Sequence, residues 1–454
     1  MPFFWHYIDF CGCETYITIV YVKINKKGFF VMLDINFIKA NVDLVKKAVR
    51  EKGLEGTVSI DKLIETHTRY IDALKRVETH RALKNKLSED ISKANASERE
   101  KLITEATSVK EELSKYEKEL DEIKFAFDKM MLWVPNVPSD DVPIGKDEND
   151  DKVVRTVGSI RDFGFRPKDH IDLGAALDVI DLERGAKIAG FRGYFLKGEA
   201  AELEQALLKY ACGVMKEAGF TFMSVPWIVK PEFFIGTGYF PWGEDDHYRL
   251  EEDKALIGTA EVSLTSYYAG EILEEADLPV KLYGLSPCFR KEIGAYGKDT
   301  KGIFRLHQFY KVEQMVLTTA NEEITREWHE KMLGYSEKVL EGLNLPYRVV
   351  LKCTGEIGAG QVKKYDLETW FPSQERYRET HSDSYFRDFQ SRRLNIRYRD
   401  SNGDLKYVYT LNNTVAASPR LLAAILENYQ NADGSVIVPE VLRPYVGFDK
   451  ILPK

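Results

Sequence analysis

Two stretches of the sequence bring together side chains able to handle phosphates and an amino group. The first is Pro287-Cys288-Phe289-Arg290-Lys291-Glu292, a Gly-rich loop from Gly294 to Gly302, then Phe304-Arg305-Leu306-His307-Gln308-Phe309-Tyr310-Lys311-Val312-Glu313. This reads as strand, loop, strand. In the second strand a period of two puts Arg305, His307, Phe309, Lys311 and Glu313 on one face. An aromatic ring and a carboxylate on one sheet face could stack a base and hold a cation; a solvated sheet surface is the competing reading. The second stretch is Ser418-Pro419-Arg420 after a strand-like Lys406 to Asn412. Ser418 is expected as N-cap and Pro419 in the first turn of a helix through Tyr429. Arg420 then adds a cation where the helix dipole already attracts anions. Either an anion docks there or the arginine pairs with a carboxylate.

Other chemistries find no support. The sequence has no GxxxxGK[ST], HExxH or GxSxG, which argues against a P-loop, a zincin and a nucleophile elbow. Cysteines at 11, 13, 212, 288 and 353 are odd in number and form no CxxC, so reduced thiols are expected rather than disulfides or a zinc finger.

The elements that must position these groups fall into three parts. Residues 1–31 are aromatic and β-branched, with Tyr16 to Val22 strand-like and Asn25 to Gly28 turn-like. At Met32 the character changes to an amphipathic helix stopped at Gly53, which suggests Met32 as the translation start. Residues 32–138 are dominated by a helical hairpin. Leu102, Ala106, Val109, Leu113, Tyr116, Leu120, Ile123, Phe127 and Met130 alternate spacings of 4 and 3, a coiled-coil seam. A partner stripe runs through Ile60, Ile64, His67, Ile71, Leu74, Leu83, Leu87 and Ile91, with a register slip expected near Arg76 to Arg81. Asn95 to Ser97 supplies the turn, with Ser97 as N-cap. At about 35 residues each, the helices should project about 50 Å.

A Pro-rich stretch from Trp133 to Gly145 and an acidic run at 147–151 mark a boundary near residue 138. Residues 139–454 read as α+β. Helix 199–218 presents Leu203, Leu207, Tyr210 and Val214 and stops at Gly219. Strand-like Tyr283–Ser286, Phe304–Leu317, Tyr347–Leu351, Ile396–Arg399 and Lys406–Asn412 lack βαβ alternation, so the sheet should be mostly antiparallel.

Composition agrees with an ordered globular chain: 454 residues, 44% hydrophobic, 12% aromatic. No apolar run reaches membrane-spanning length. A net charge of −8 excludes a chain-wide basic surface. Local concentration is another matter: Lys75, Arg76, Arg81, Lys84 and Lys86 face a single acidic Glu78 between residues 75 and 87. That is either a solvated helix face or a phosphate-contacting stripe.

Three segments, TAEVSLTSYYAGEIL (259–273), SPCFRKEIGAYGKDTKGIFRLHQFYKVEQMV (286–316) and LNNTVAASPRLLAAILENYQNADGSVIVPEVLRPYVG (411–447), resemble the seryl-tRNA synthetases, a class II aminoacyl-tRNA synthetase family. The hairpin resembles that family's N-terminal arm, and the likeness runs from about Met32 to Gly447. It implies a six- to seven-stranded antiparallel catalytic domain, a cytoplasmic homodimer built on helix 199–218 and the strand through Pro226, and a serine--tRNA ligase using ATP and Mg²⁺. Zinc is not expected.

Arg290 and Arg420 would be catalytic, on the α- and γ-phosphates. Lys291, Glu292, Leu306, Phe309, Glu379, Thr380, His381 and Ser382 would complete the ATP site, with Glu379 and Ser382 on Mg²⁺. Thr259, Ala260, Glu261, Arg290, Glu313 and Thr414 would hold L-serine. Arg76, Arg81, Lys84 and Lys86 would meet tRNA(Ser), with tRNA(Sec) as a further candidate. The chain departs from the family at Lys291, at Thr380-His381-Ser382 and at Asn413-Thr414. Two other readings are a non-catalytic scaffold and an amino acid:carrier-protein ligase. The intact Arg290, Glu292, Glu313 and Arg420 weigh against the first, the hairpin against the second.

Overall fold

The computed structural model describes residues 33–293 and 301–454. The strand and turn expected within residues 1–31, Met32 itself and most of the Gly-rich loop lie outside the described residues.

The N-terminal helix divides in two, α1 (Ile35–Ala40) and α2 (Val42–Glu51). The break is at Asn41, at φ −131° and ψ 43°, whose side-chain amide donates to the Phe37 carbonyl at 2.9 Å. A short amide side chain that competes for helix carbonyls favours a helix end. Gly53, at φ +67°, closes the segment as expected.

The hairpin consists of α3 (Ile60–Lys93) and α4 (Ala96–Leu132). At 1.5 Å per residue they run about 50 Å. On α4 the seam is as read, with Val109, Leu113 and Ile123 buried. The α4 cap is Asn95, whose side-chain oxygen Oδ1 accepts from the Ser97 and Glu98 amides at 3.1 Å; Ser97 is therefore inside the first turn. On α3 the buried positions are Ile60, Leu63, Thr66, Ala73, Val77 and Leu87, while Leu83 is exposed. The expected register slip is absent. Val77 is fully buried and His80 packs edge-on to Tyr116 at 4.7 Å. Small Thr66 and Ala73 fill seam positions where a stripe of large aliphatics alone would miss them. Around the foot of the hairpin, Ile38, Val45, Val49, Leu63, Met131 and Val134 form a separate small core.

The body is built on one sheet. Its strands, in chain order, are β1 (Lys152–Val157), β2 (Thr221–Met223), β3 (Val280–Phe289), β4 (Gln308–Thr318), β5 (Tyr347–Leu351), β6 (Lys363–Phe371), β7 (Arg376–Tyr385) and β8 (Tyr409–Ala417). They lie in the order β1-β5-β6-β7-β8-β4-β3-β2, antiparallel throughout except for the β2–β3 edge. The count is eight because the short edge β2 and the outer β1 both join.

Helices α5 (Glu199–Glu217), α6 (Glu322–Gly342) and α7 (Ser418–Asn428) pack together, with α6 along β8. Leu203, Leu207, Leu333, Leu340, Leu421 and Ile425 are fully buried in their common core.

Several boundaries differ from expectation. β4 begins at Gln308, which leaves Arg305 and His307 in the preceding loop. β8 continues to Ala417, which occupies the N-cap position of α7 without a side-chain cap, so Ser418 lies inside the helix. The Ser418 hydroxyl instead donates to Glu204 at 2.6 Å. β6 and β7 escaped the sequence reading altogether, because Lys363, Lys364, Asp366, Glu368, Arg376, Arg378 and Glu379 give them the look of a polar loop.

Candidate active site

A cleft of about 360 Å³ opens over one face of β4, β6, β7 and β8. Two β-bulges decide which side chains enter it. Between β6 and β7 the register runs Leu367↔His381 and then Glu368↔Glu379, so Thr380 is the extra residue. In a regular strand Glu379 and Ser382, three apart, would face opposite ways; the bulge turns both into the cleft. Between β4 and β8 the register passes from Val312↔Ala416 to Glu313↔Thr414, leaving Val415 as the extra residue. That puts Thr414 and Ala417 opposite Glu313 and Lys311.

His381 ties the two bulges together. Its Nε2 donates to the Val415 carbonyl at 3.1 Å, and its Nδ1 accepts from the Thr380 hydroxyl at 2.9 Å. The ring is buried and its pKa is pushed by burial down to about 4, so it is neutral. Thr380 and His381 thus spend their side chains on the protein.

Two buried carboxylates line the cleft, Glu261 and Glu313. Glu261 accepts from the Tyr239 hydroxyl at 2.5 Å and from the Gln390 amide at 2.7 Å. Burial, reinforced by Glu313, pushes the Glu261 pKa up to about 7. Glu313 lies beside the Lys311 ammonium, two residues back on the same strand face. Thr259 and Ala260 are wholly buried and do not line the cleft. Thr259 acts one step back, its hydroxyl accepting from the Glu261 amide at 3.3 Å.

The guanidinium groups of the cleft are Arg290 and Arg420. Arg290 donates through Nε to the Gly258 carbonyl at 3.1 Å, and its guanidinium lies 5.5 Å from the centre of the Phe309 ring. Arg420 donates to the backbone carbonyls of Phe304 and Glu379 and stands 3.5 Å from the Glu379 carboxylate, which is the carboxylate-paired alternative. Burial acts to raise the Glu379 pKa, but Arg420, Lys364, Lys352 and Arg290 outweigh it and hold the group well below the usual range. Glu292 sits at φ +55° and accepts from Arg305 at 2.9 Å. Leu306 and Phe309 complete the wall. Lys291 does not line the cleft: its ammonium lies 6.0 Å over the Tyr248 ring.

The cleft therefore brings together Arg290, Glu292, Leu306, Phe309, Glu379, Thr380, His381, Ser382, Arg420, Glu261, Glu313 and Thr414. Sequence reasoning missed Tyr239, Gln361, Lys364, Ser384 and Gln390. Lys364, Asp366 and Glu368 carried a signal, charges at a period of two, and Lys364 is now ion-paired to Asp366 at 3.0 Å.

On the arm, Arg76 pairs with Glu119 at 2.9 Å and Arg81 with Glu117 at 2.8 Å, both across to α4. Two cations of the basic stripe, Arg76 and Arg81, are thus neutralised. Lys84 and Lys86 are exposed and have no ion pair among the described residues.

The carboxylates Glu261 and Glu313 suit an ammonium group; the fixed guanidinium groups suit phosphates and a carboxylate. Phe309 beside Arg290 offers a face for a planar base. Glu379 and Ser382 offer hard oxygen donors on one face, the donor type Mg²⁺ takes together with substrate phosphates.

Comparison with known proteins gives the same picture. Residues 32–138 match the seryl-tRNA synthetase N-terminal domain, and residues 244–429 match the class II tRNA synthetase core domain (G, H, P, S and T). The serine--tRNA ligase of Deinococcus radiodurans is 43% identical over 93% of this chain and 99% of its own length. That of Thermobifida fusca is 44% identical, also over 93% and 99%. The crystal structure of seryl-tRNA synthetase from Pyrococcus horikoshii complexed with ATP superposes with a TM-score of 0.85 at 39% identity, covering 93% of this chain and all of that one. With the arm, the antiparallel sheet and the cleft in place, the chain belongs to the seryl-tRNA synthetase family.

Proposed function

We propose that the cleft joins L-serine to ATP and that the arm then presents tRNA(Ser) for charging. One observation carries this reading: a single cleft gathers the carboxylates Glu261 and Glu313 with Arg290, Arg420 and Glu379, one bulge setting Thr414 opposite Glu313 and the other turning Glu379 and Ser382 into the cleft. The serine ammonium sits between Glu261 and Glu313, with Thr414 near its hydroxyl. Its carboxylate oxygen attacks the α-phosphorus in line, and the bond to the bridging oxygen of pyrophosphate breaks. Two anions must meet. Arg290 offsets their repulsion and the charge that develops, while Arg420 holds the far phosphates. Phe309 stacks the adenine and Glu292 reads its amino group. Mg²⁺ held by Glu379 and Ser382 would neutralise phosphate charge when bound. A terminal ribose hydroxyl of tRNA then attacks the seryl carbonyl and releases AMP, with no enzyme nucleophile required.

Further parts of the proposal concern organisation. Residues 32–138 form the tRNA-binding part and 139–454 the catalytic part, with residues 1–31 an extension. Exposed Ile188, Phe191, Phe195, Phe222, Trp227 and Ile228 beside α5 and β2 suit a homodimer contact. No described helix is long and apolar enough to cross a membrane, and the cytoplasm is the proposed site of action. tRNA(Sec) is a further candidate acceptor.

The test is ATP–pyrophosphate exchange without tRNA, followed by charging of tRNA(Ser) and tRNA(Sec). Exchange should require serine and reject alanine by ~10⁴, because a pocket built to bond a hydroxyl penalises its absence. Exchange driven equally by alanine or threonine would refute the substrate assignment.

A further inference from the structure

The foot of the arm grips a loop that ends inside the cleft. Lys52, at the end of α2, is 7% exposed, and its ammonium donates to three carbonyls: Gly358 at 3.0 Å, Ala359 at 3.0 Å and Gln361 at 2.6 Å. Three acceptors use the full donor capacity of an ammonium group. The remaining carbonyl, that of Gly360, accepts from the side-chain amide of Asn136 at 3.2 Å, and the Asn136 backbone amide donates to Ala359 at 2.8 Å. All four carbonyls of loop 358–361 are thus held by residues from the arm and its exit. Lys52 makes no ion pair among the described residues. Burial pushes its pKa down to about 7, whereas the three carbonyl oxygens favour the charged form.

The loop carries that grip into the cleft. The Gln361 side-chain oxygen accepts from the Gly358 amide at 2.6 Å, and its amide nitrogen donates to the Ser384 hydroxyl at 2.7 Å. Gln361 and Ser384 both line the cleft. Ser384 pairs across the sheet with Lys364, and its neighbour Ser382 pairs with Asp366. Gly360 packs closely on the wall: a Cβ there would lie 2.5 Å from the Phe389 ring. The loop is fixed on one side by the arm and on the other by the wall that carries Glu379 and Ser382.

We propose that Lys52 is a positioning residue for the first half-reaction: through loop 358–361 and Gln361 it sets Ser384 and the phosphate side of the cleft. Serine activation, which involves no tRNA, then depends on how the tRNA-binding arm is seated. The inference rests on the assignment of the Glu379–Ser382 wall to ATP. Removing the grip should raise the KM for ATP and leave that for serine nearly unchanged.

The experiment uses the full chain and reads serine-dependent pyrophosphate exchange without tRNA. K52M keeps the length of the side chain and removes the donors; Q361A cuts the same path at its far end without touching the arm. Each should raise the KM for ATP about fivefold to tenfold with the serine KM within twofold, and the double variant should cost no more than the worse single one, because both break one path. Simple loss of folded protein lowers kcat and moves neither KM. If K52M does not fold, Q361A alone decides. A folded K52M, or Q361A, with both KM values within twofold of the parent overturns the proposal, as does a fully additive double variant. A rise in the serine KM alone would keep the positioning role and overturn the assignment of that wall to ATP.

Discussion

The arm and the cleft use the same charged residue types under opposite conditions. On the arm, Arg76 and Glu119 each keep over two-fifths of their side chains in water, and Arg81 is more exposed still. Such pairs contribute about 0–1 kcal/mol and are screened by salt. In the sheet, Asp366 is 2% exposed between Lys364 and Lys352, which is itself paired to the buried Asp151. There each charge depends on its neighbours, and removing one partner costs several kcal/mol. The arm is a surface on which charges can be exchanged for those of a polyanion. The cleft is a fixed lattice into which substrate charges must fit.

That contrast is broken most severely at Arg290. Its guanidinium is fixed by Gly258 and the Phe309 ring, where the proposed reaction brings two anions together. Arg290→Ala should lower serine-dependent pyrophosphate exchange by about 10³-fold or more, with secondary structure retained by circular dichroism. Exchange within tenfold of the parent in a folded variant would remove Arg290 from the chemistry.

How much of this was legible in the sequence depended on whether a residue's role was local. The α4 seam could be read because a 4-3 spacing is a property of the helix alone. The α3 seam was read imperfectly, since Thr66 and Ala73 become core only through what faces them. Arg290, Glu292, Phe309 and Arg420 came from motif resemblance and meet in the cleft. Strands β6 and β7 were invisible because periodicity of apolar residues is weak in strands whose cleft face is charged. Its type and position predict Ser418 as a cap, but its hydroxyl goes to Glu204, 214 residues away. The bulges at Thr380 and Val415 follow from strand pairing, which no single segment contains.

Glu261 sharpens the comparison by titration. Burial and then Glu313 raise its pKa to about 7, so it begins to take up a proton as the pH falls toward neutrality. In the proposed binding mode only the ionised carboxylate attracts the serine ammonium. kcat/KM for serine in the exchange reaction should therefore fall as pH drops through about 7, approaching tenfold per pH unit below it. Glu261→Gln should start low and lose this limb. A flat profile between pH 6 and 8 in the parent protein would show that Glu261 does not carry the ammonium.

The arm should show the smallest effects, and they should be unequal. Arg76 and Arg81 already spend their charge on Glu119 and Glu117, so a phosphate must displace a carboxylate to use them. Lys84 and Lys86 are exposed without ion pairs among the described residues, and a phosphate meets them at no such cost. Lys84→Ala with Lys86→Ala should flatten the salt dependence of tRNA binding by about one phosphate contact per lysine that reaches the backbone. Arg76→Ala with Arg81→Ala should flatten it less and change thermal stability by no more than about 1 kcal/mol per pair, since the pairs are exposed. Pyrophosphate exchange without tRNA should be unchanged in both, in contrast to the arm's foot at Lys52. If the arginine variant loses more salt dependence than the lysine variant, the ion pairs to α4 open in the complex, and the arginines are the principal phosphate contacts. If neither variant changes binding at ~0.15 M salt, this stretch of the arm does not meet the tRNA backbone.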